Sequence, residues 1–253
     1  MRDRHNVALA PFPAVWPPDD TEESVVGTNL HQTAIVNLRW GINEAAALAT
    51  PPDAPLLWQA GGQTMISGFQ HPDGSPYTTL PDVYVYPHPL DDLRGSLSIA
   101  LDGPPLLIIE VLSDTTHESD LDLRDGKGYS YRAAGVQEYL TLDPTGAYLA
   151  EQGRGWRLEG TIYRPWRRES DGRWSSRGLP LAFRLEGAQV AVFTAAGRRL
   201  LREGEVERTL REQRLAFEVR ERRAAEALLE QARLHAQELA QLRRRLEELE
   251  RGQ

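Results

Sequence analysis

The sequence predicts a mixed α/β domain that runs into an antiparallel β extension and ends in a long helix. Three observations carry this. Residues 106–112 (LLIIEVL) form a near-continuous apolar run, the pattern of a central strand buried on both faces. A helical stretch from about Leu121 to Ala134 separates it from a second strand, 138–143 (EYLTLD), which makes a strand–helix–strand unit. From Glu203 onward there is no proline, and Ala225, Leu228, Ala232, His235, Leu239, Leu242, Leu246 and Leu249 step by three and four residues. That is an a/d heptad seam.

The remaining elements follow in chain order. Residues 1–21 are rich in proline and lack a period, so they predict an extended arm. Residues 29–49 carry Leu30, Ala34, Ile35, Leu38, Ile42 and Ala45 at helical spacing, with Asn29 a possible cap and Pro51-Pro52 as the stop. A short strand is expected in 56–62, a turn at His71-Pro72-Asp73-Gly74, and a strand over 80–86 that alternates Val83 and Val85 against Tyr84 and Tyr86. Gly135 is placed to end the helix that starts near Leu121. Strands are expected at AYLAEQ, WRLEGTIYRPW, RWSS, LAFRLEG and QVAVFT across 147–194, punctuated by glycines. The organisation is an arm (1–21), a body (22–200) and a helix over 203–251 that forms a homodimer or other homo-oligomer through 225–249. A single solvated helix, supported by Glu–Arg pairs, is the competing reading of that tail.

Composition excludes several classes. With 253 residues there is ample chain for a buried core. No run of about 18 apolar residues exists, so no membrane helix is expected, and no apolar segment follows the N-terminal charges as a secretory signal would require. The absence of cysteine excludes disulfides, thiolate metal sites and cysteine nucleophiles, and it suits a cytoplasmic protein. A net charge of −8 excludes bulk electrostatic attachment to nucleic acid, so any such contact needs a local basic patch or a bridging metal ion. No P-loop, zinc spacing or nucleophile elbow is present.

Two residues stand out. Of 29 basic residues, 28 are arginine, and Lys127 is the one lysine. Drift toward arginine explains the rest but not this exception, and only lysine offers a compact ammonium of tunable pKa. Glu110 interrupts the apolar run, where an unpartnered carboxylate is costly. It needs a cation, a hydrogen-bond network or a metal. Asp82 opens the neighbouring strand after Pro81, where an acid can also simply cap a turn. Two carboxylates and an ammonium have a clear joint chemistry: the carboxylates hold a hard divalent cation, and the ammonium orients or deprotonates a water or offsets charge on a phosphate.

The ordered string Pro81-Asp82-Val83, Ile109-Glu110-Val111-Leu112-Ser113, Lys127 with Tyr131, then 134–140 (AGVQEYL) and Asp143-Pro144 resembles a restriction endonuclease family common in cyanobacteria and other bacteria. That family belongs to the PD-(D/E)XK nuclease superfamily. The resemblance spans about 22–195 and implies a restriction-endonuclease-like mixed sheet flanked by helices. It further implies Mg²⁺ (or Mn²⁺) bound by Asp82 and Glu110, Lys127 as the third catalytic residue, and DNA as substrate. Leu112 occupies the place of the superfamily lysine, and the family supplies its lysine from the following helix, which falls on Lys127. An acidic residue near the first helix would be Glu23, with Glu22 close behind, and His31 lies in a family-like stretch but is equally at home on a helix surface. Asp120, Asp122 and Asp125 are read as helix N-terminal charges, one of which could pair with Lys127 or Arg124, and are not assigned to the metal.

An arginine–tryptophan patch, with Arg164, Arg167 and Arg168 as nucleic-acid-binding candidates beside Trp156, Trp166 and Trp174, could grip a phosphate backbone. The alternative is a hairpin with a polar outer and a tryptophan inner face. Two rival functions remain: a catalytically silent nuclease fold that serves as an interaction module, and a purely structural Glu110–Lys127 ion pair.

Overall fold

The computed structural model describes residues 22–91 and 94–251, and side chains within 29–91 and 94–245. The arm expected over 1–21 and the side chain of Glu23 lie outside the described residues. In chain order the elements are α1 (Glu22–Ala49), β1 (Gln59–Gly61), β2 (Met65–Gln70), β3 (Pro76–Thr79), β4 (Val83–Tyr86), β5 (Ser96–Ser98), α2 (Ile99–Asp102), β6 (Leu107–Val111), α3 (His117–Leu121) and α4 (Lys127–Ala134). There follow β7 (Glu138–Leu142), β8 (Gly153–Glu159), β9 (Ile162–Trp166), β10 (Trp174–Ser175), β11 (Leu181–Glu186), β12 (Gln189–Thr194) and α5 (Glu203–Arg251). This is the mixed α/β architecture with antiparallel strands and a long C-terminal helix that the sequence predicts.

A six-stranded sheet in the order β1-β4-β6-β7-β8-β9 organises the body. Within it β6 and β7 pair in parallel and the other neighbours are antiparallel. All five residues of β6 and all five of β7 are buried, as a two-faced central strand requires. One face carries Val83, Ile109, Leu140 and Trp166 against Ile35, Leu38 and Ile42 of α1 and the β11–β12 hairpin. The other carries Tyr84, Ile108, Tyr139 and Trp156 against Tyr131 of α4 and Ile66 and Phe69 of β2. Contacts divide the chain after Leu200, and the second unit is the single helix α5.

Several expectations need correction. Asn29 does not cap α1, which begins at Glu22 and has Asn29 in its interior. The strand over 80–86 is shorter and does not alternate: Val83 to Tyr86 are all buried, because both faces of β4 are covered. Residues 96–102 form β5 and α2, too short to show a period. AYLAEQ is not a strand. The buried Asp143 carboxylate accepts N–H groups from Gly146 (2.9 Å), Tyr148 (2.7 Å) and Leu149 (2.8 Å), which folds this segment around it.

The helix expected over 121–134 is two helices, α3 and α4. Asp122 Oδ1 accepts the N–H groups of Arg124 (2.8 Å) and Asp125 (3.3 Å), a local turn that competes with the helix. Gly126 then caps α4. A Cβ there would lie 2.3 Å from the Ser119 carbonyl oxygen, so only glycine lets the end of α3 pack this tightly against the start of α4. Gly135 adopts φ 88° and ends α4 as expected.

Candidate functional site

The last ladder pair between β4 and β6 is Val83 with Ile109, so Asp82 and Glu110 are the next positions in register. Their carboxylates take over where the ladder stops. Glu110 Oε2 accepts the Asp82 N–H at 3.2 Å, and Asp82 Oδ2 accepts the Val111 N–H at 2.8 Å. Each acid is thus fixed by the other's strand. Gly62 is part of this arrangement: a Cβ on it would lie 2.2 Å from the Asp82 carbonyl oxygen.

Lys127 is the first residue of α4, and Tyr131 follows one turn later on the same face. Both reach Glu110. Lys127 Nζ lies 3.2 Å from Glu110 Oε1, and the Tyr131 hydroxyl donates to the same oxygen. Lys127 Nζ also lies 2.7 Å from Asp120 Oδ1 at the end of α3. Thr79 stands 3.3 Å from the Tyr131 hydroxyl. On the other side, His31 of α1 places Nε2 3.3 Å from Asp82 Oδ2. Asp82, Glu110, Lys127 and His31 therefore converge at the carboxyl end of β6.

Burial sets the electrostatics. The side chains of Glu110 and Asp120 are 1% and 0% exposed, against 14% for Lys127 and 16% for Asp82. Burial pushes the Glu110 carboxyl up to about 8; Lys127 pulls it down, and Asp120 and Asp82 push it up further. Asp120 is raised for the same first reason, with Lys127 opposing. Burial opposes the charge on Lys127, but Glu110 and Asp120 outweigh it and hold the ammonium protonated well above its ordinary range. The hydrogen bond to Asp82 raises His31 above 6.5 against a lowering by burial.

Sequence reasoning offered one of Asp120, Asp122 and Asp125 as a partner of Lys127 or Arg124 without choosing, and the structure gives the Lys127 contact to Asp120. The break between α3 and α4 hides which acid turns inward. Tyr131 was assigned no role but had a signal, since it stands four residues after Lys127. Asp122 and Asp125 stay outside the cluster and, with α4 capped by Gly126, do not act as its N-terminal charges.

The tryptophans of the β extension point inward: Trp156, Trp166 and Trp174 are 6%, 3% and 2% exposed and offer no open stacking face. Arg157 lies over Trp166 and Arg168 over Trp174. The register separates the arginine candidates. Arg164 pairs with Arg157, which in turn pairs with Glu138, on the face opposite Glu110, whereas Arg167 and Arg168 follow the end of β9 and line a groove with Gly153 and Arg154.

Residues 67–191 match the family model Uma2, described as "Putative restriction endonuclease". Over these 125 of its 253 residues the chain is similar to this nuclease-type family. The match spans β6, α4 and β7 and with them Asp82, Glu110 and Lys127, while His31 and α5 lie outside it. No curated protein matches the chain. Among the described residues no helix is long and apolar enough to cross a membrane.

The Uma2 resemblance implies a divalent cation, and the donor set can be tested for it. Among the described residues no three His, Asp or Glu side chains group as a ready metal site. A hard cation such as Mg²⁺ needs less than that, since it is held by one or two carboxylates and keeps several waters. Asp82 and Glu110 are adjacent, oxygen-only donors; Glu110 shares Lys127 with Asp120, and Asp82 faces His31. The excess negative charge, expressed in the raised Glu110, is what a divalent cation would offset, so the residues fit.

Proposed function

We propose that this chain is a metal-dependent endonuclease that hydrolyses DNA phosphodiester bonds, with Asp82, Glu110 and Lys127 as its catalytic set. The observation that carries the reading is the convergence of the only lysine on the one carboxylate buried in the central strand, beside a second carboxylate fixed by that strand's backbone. Asp82 and Glu110 would hold the Mg²⁺ or Mn²⁺ ion. Such an ion polarises a phosphate and lowers the pKa of a bound water.

The chain's own groups divide the remaining work. Lys127 is held protonated by two carboxylates, so it acts as a donor and a fixed positive charge toward the phosphate or the attacking water, not as a base. Tyr131 and the Asp82 N–H fix both Glu110 oxygens in orientation. His31 fixes Asp82 Oδ2 from the α1 side. Glu23 remains a proposed further acid. The helix α5 supplies a homodimer through 225–249; Leu228, Leu239 and Leu242 are 67%, 56% and 57% exposed on it, an apolar seam for a second copy. Two joined sites suit cleavage of both strands. The setting is the cytoplasm.

A second reading has its own observation. Both Glu110 oxygens already accept protein donors, as a structural ion pair would require. Calorimetry with Mn²⁺ and Mg²⁺ on wild type, Glu110→Gln and Lys127→Met separates the two. The nuclease reading expects binding lost in Glu110→Gln and kept in Lys127→Met. The structural reading expects no difference among the three.

A further inference from the structure

The sheet register extends the candidate site sideways. Glu110 pairs with Thr141 and Thr141 with Arg154; the β8–β9 ladder ends one residue short, at Gly155–Trp166, and Arg167 follows directly after that pair. Directly paired residues share a face. Arg154 therefore lies on the Glu110 face, two strands away, about 10 Å at the backbone. Arg167 follows one strand further. Trp156, two residues after Arg154, packs on that same face with Tyr139, which confirms the parity. Thr141 Oγ1 donates to the Arg154 carbonyl at 3.0 Å and holds this point of β8 to β7.

These arginines, like Arg164 and Arg168 beside them, meet no carboxylate among the described residues, unlike others of the extension. Arg157, Arg173 and Arg184 of the extension each meet a carboxylate, in Glu138, Asp171 and Glu186. Arg154 and Arg167 are exposed and, among the described residues, have no carboxylate within ion-pair distance. A groove of about 700 Å³ passes them. Its charged lining is Arg154, Arg167 and Arg168 against Glu151 and Glu169, a positive balance in a chain of net charge −8. Unpaired guanidinium groups in a groove, with Arg154 on the same sheet face as the carboxylate site, are what a phosphodiester backbone needs for register.

We propose that Arg154, with Arg167 beside it, binds the phosphates of the nucleic-acid strand that flank the one at Glu110 and Lys127, and so sets the strand's path across the sheet. The inference rests on the nuclease reading and deepens it. Arg154 and Arg167 are positioning residues.

The test is binding of a fluorescent DNA duplex to the full chain carrying Glu110→Gln, in Mg²⁺, over a salt series. Arg154→Gln and Arg167→Gln are each added, with Arg198→Gln, an exposed arginine in the turn after β12, as the control for lost charge. Each groove variant is expected to weaken binding roughly 3- to 10-fold at low salt and to lower the slope of log K against log salt by about 0.9. Arg198→Gln leaves both unchanged. In the otherwise wild-type chain, Arg154→Gln raises KM for cleavage and leaves kcat within about 2-fold. A parent that binds DNA with the same slope as Arg154→Gln, or a control that loses as much as the groove variants, overturns this inference and leaves the nuclease reading standing. A parent that binds no DNA and a wild type that cleaves none overturn both.

Discussion

Replacing Lys127 by Met removes the cation from two buried carboxylates and leaves the stem's volume nearly intact. Nζ lies 3.2 Å from Glu110 and 2.7 Å from Asp120, and those acids are 1% and 0% exposed, so solvent screens neither contact. Breaking a buried pair by removing one partner costs about 3–5 kcal/mol. For a body of this size each kcal/mol moves Tm by about 2–4 °C, so with Glu110 ionised the fall is on the order of 6–20 °C. The sign with pH follows from Glu110, raised from 4.5 to about 8 in the fold. Between pH 4.5 and 8 the unfolded chain releases the proton while the wild-type fold keeps it, and the variant, which lacks the lowering by Lys127, keeps it too, so Glu110 adds nothing to the gap in that window. Above pH 8 the wild-type fold ionises Glu110 while the variant still resists, so the gap widens there. Thermal melts of wild type and Lys127→Met at pH 7 and pH 9 check this: the gap is wider at pH 9. A gap under about 2 °C at pH 9, or one equal at both pH values, refutes the argument.

Four further outcomes follow from the same geometry. Glu110→Gln abolishes cleavage but melts at or above the wild-type temperature at pH 8, and its advantage shrinks toward pH 4.5, because it deletes the carboxyl whose ionisation the fold resists; paired melting curves and a plasmid assay read both. Gly62→Ala removes no polar group, yet its Cβ displaces the Asp82 carbonyl, so cleavage falls at least 10-fold while circular dichroism stays native. By NMR, His31 titrates above 6.5 in wild type and lower in Asp82→Asn, since the Asp82 hydrogen bond is the largest cause of its shift. If α5 dimerises as proposed, Leu228→Lys with Leu239→Lys gives a monomer in sedimentation where the wild type is a dimer, because both lie on the heptad positions and are exposed in the single chain.

How much of this was readable depended on periodicity. The apolar run 106–112 and the strand 138–142 announced themselves because both faces of β6 and β7 are buried, and a charge at Glu110 could not be mistaken for a surface residue. Lys127 was legible by composition. Which of Asp120, Asp122 and Asp125 meets it was not, because side chain–backbone bonds at Asp122 break the helix and no local pattern shows where α3 ends. AYLAEQ misled for a related reason: its alternation is real, but the buried Asp143 draws its backbone into a loop. The arginine patch was legible as composition only. Strand register, which sequence does not print, sets Arg154 on the Glu110 face and Arg164 on the other.

The measurement that bears most directly on the central claim is conversion of supercoiled plasmid by the full chain in Mg²⁺, beside Asp82→Asn, Glu110→Gln and Lys127→Met. The account predicts nicked and linear products from wild type and at least 100-fold less from each variant, in line with loss of a charge-stabilising group. Wild type that cleaves no DNA in Mg²⁺ or Mn²⁺, or Glu110→Gln that cleaves as fast as wild type, contradicts it.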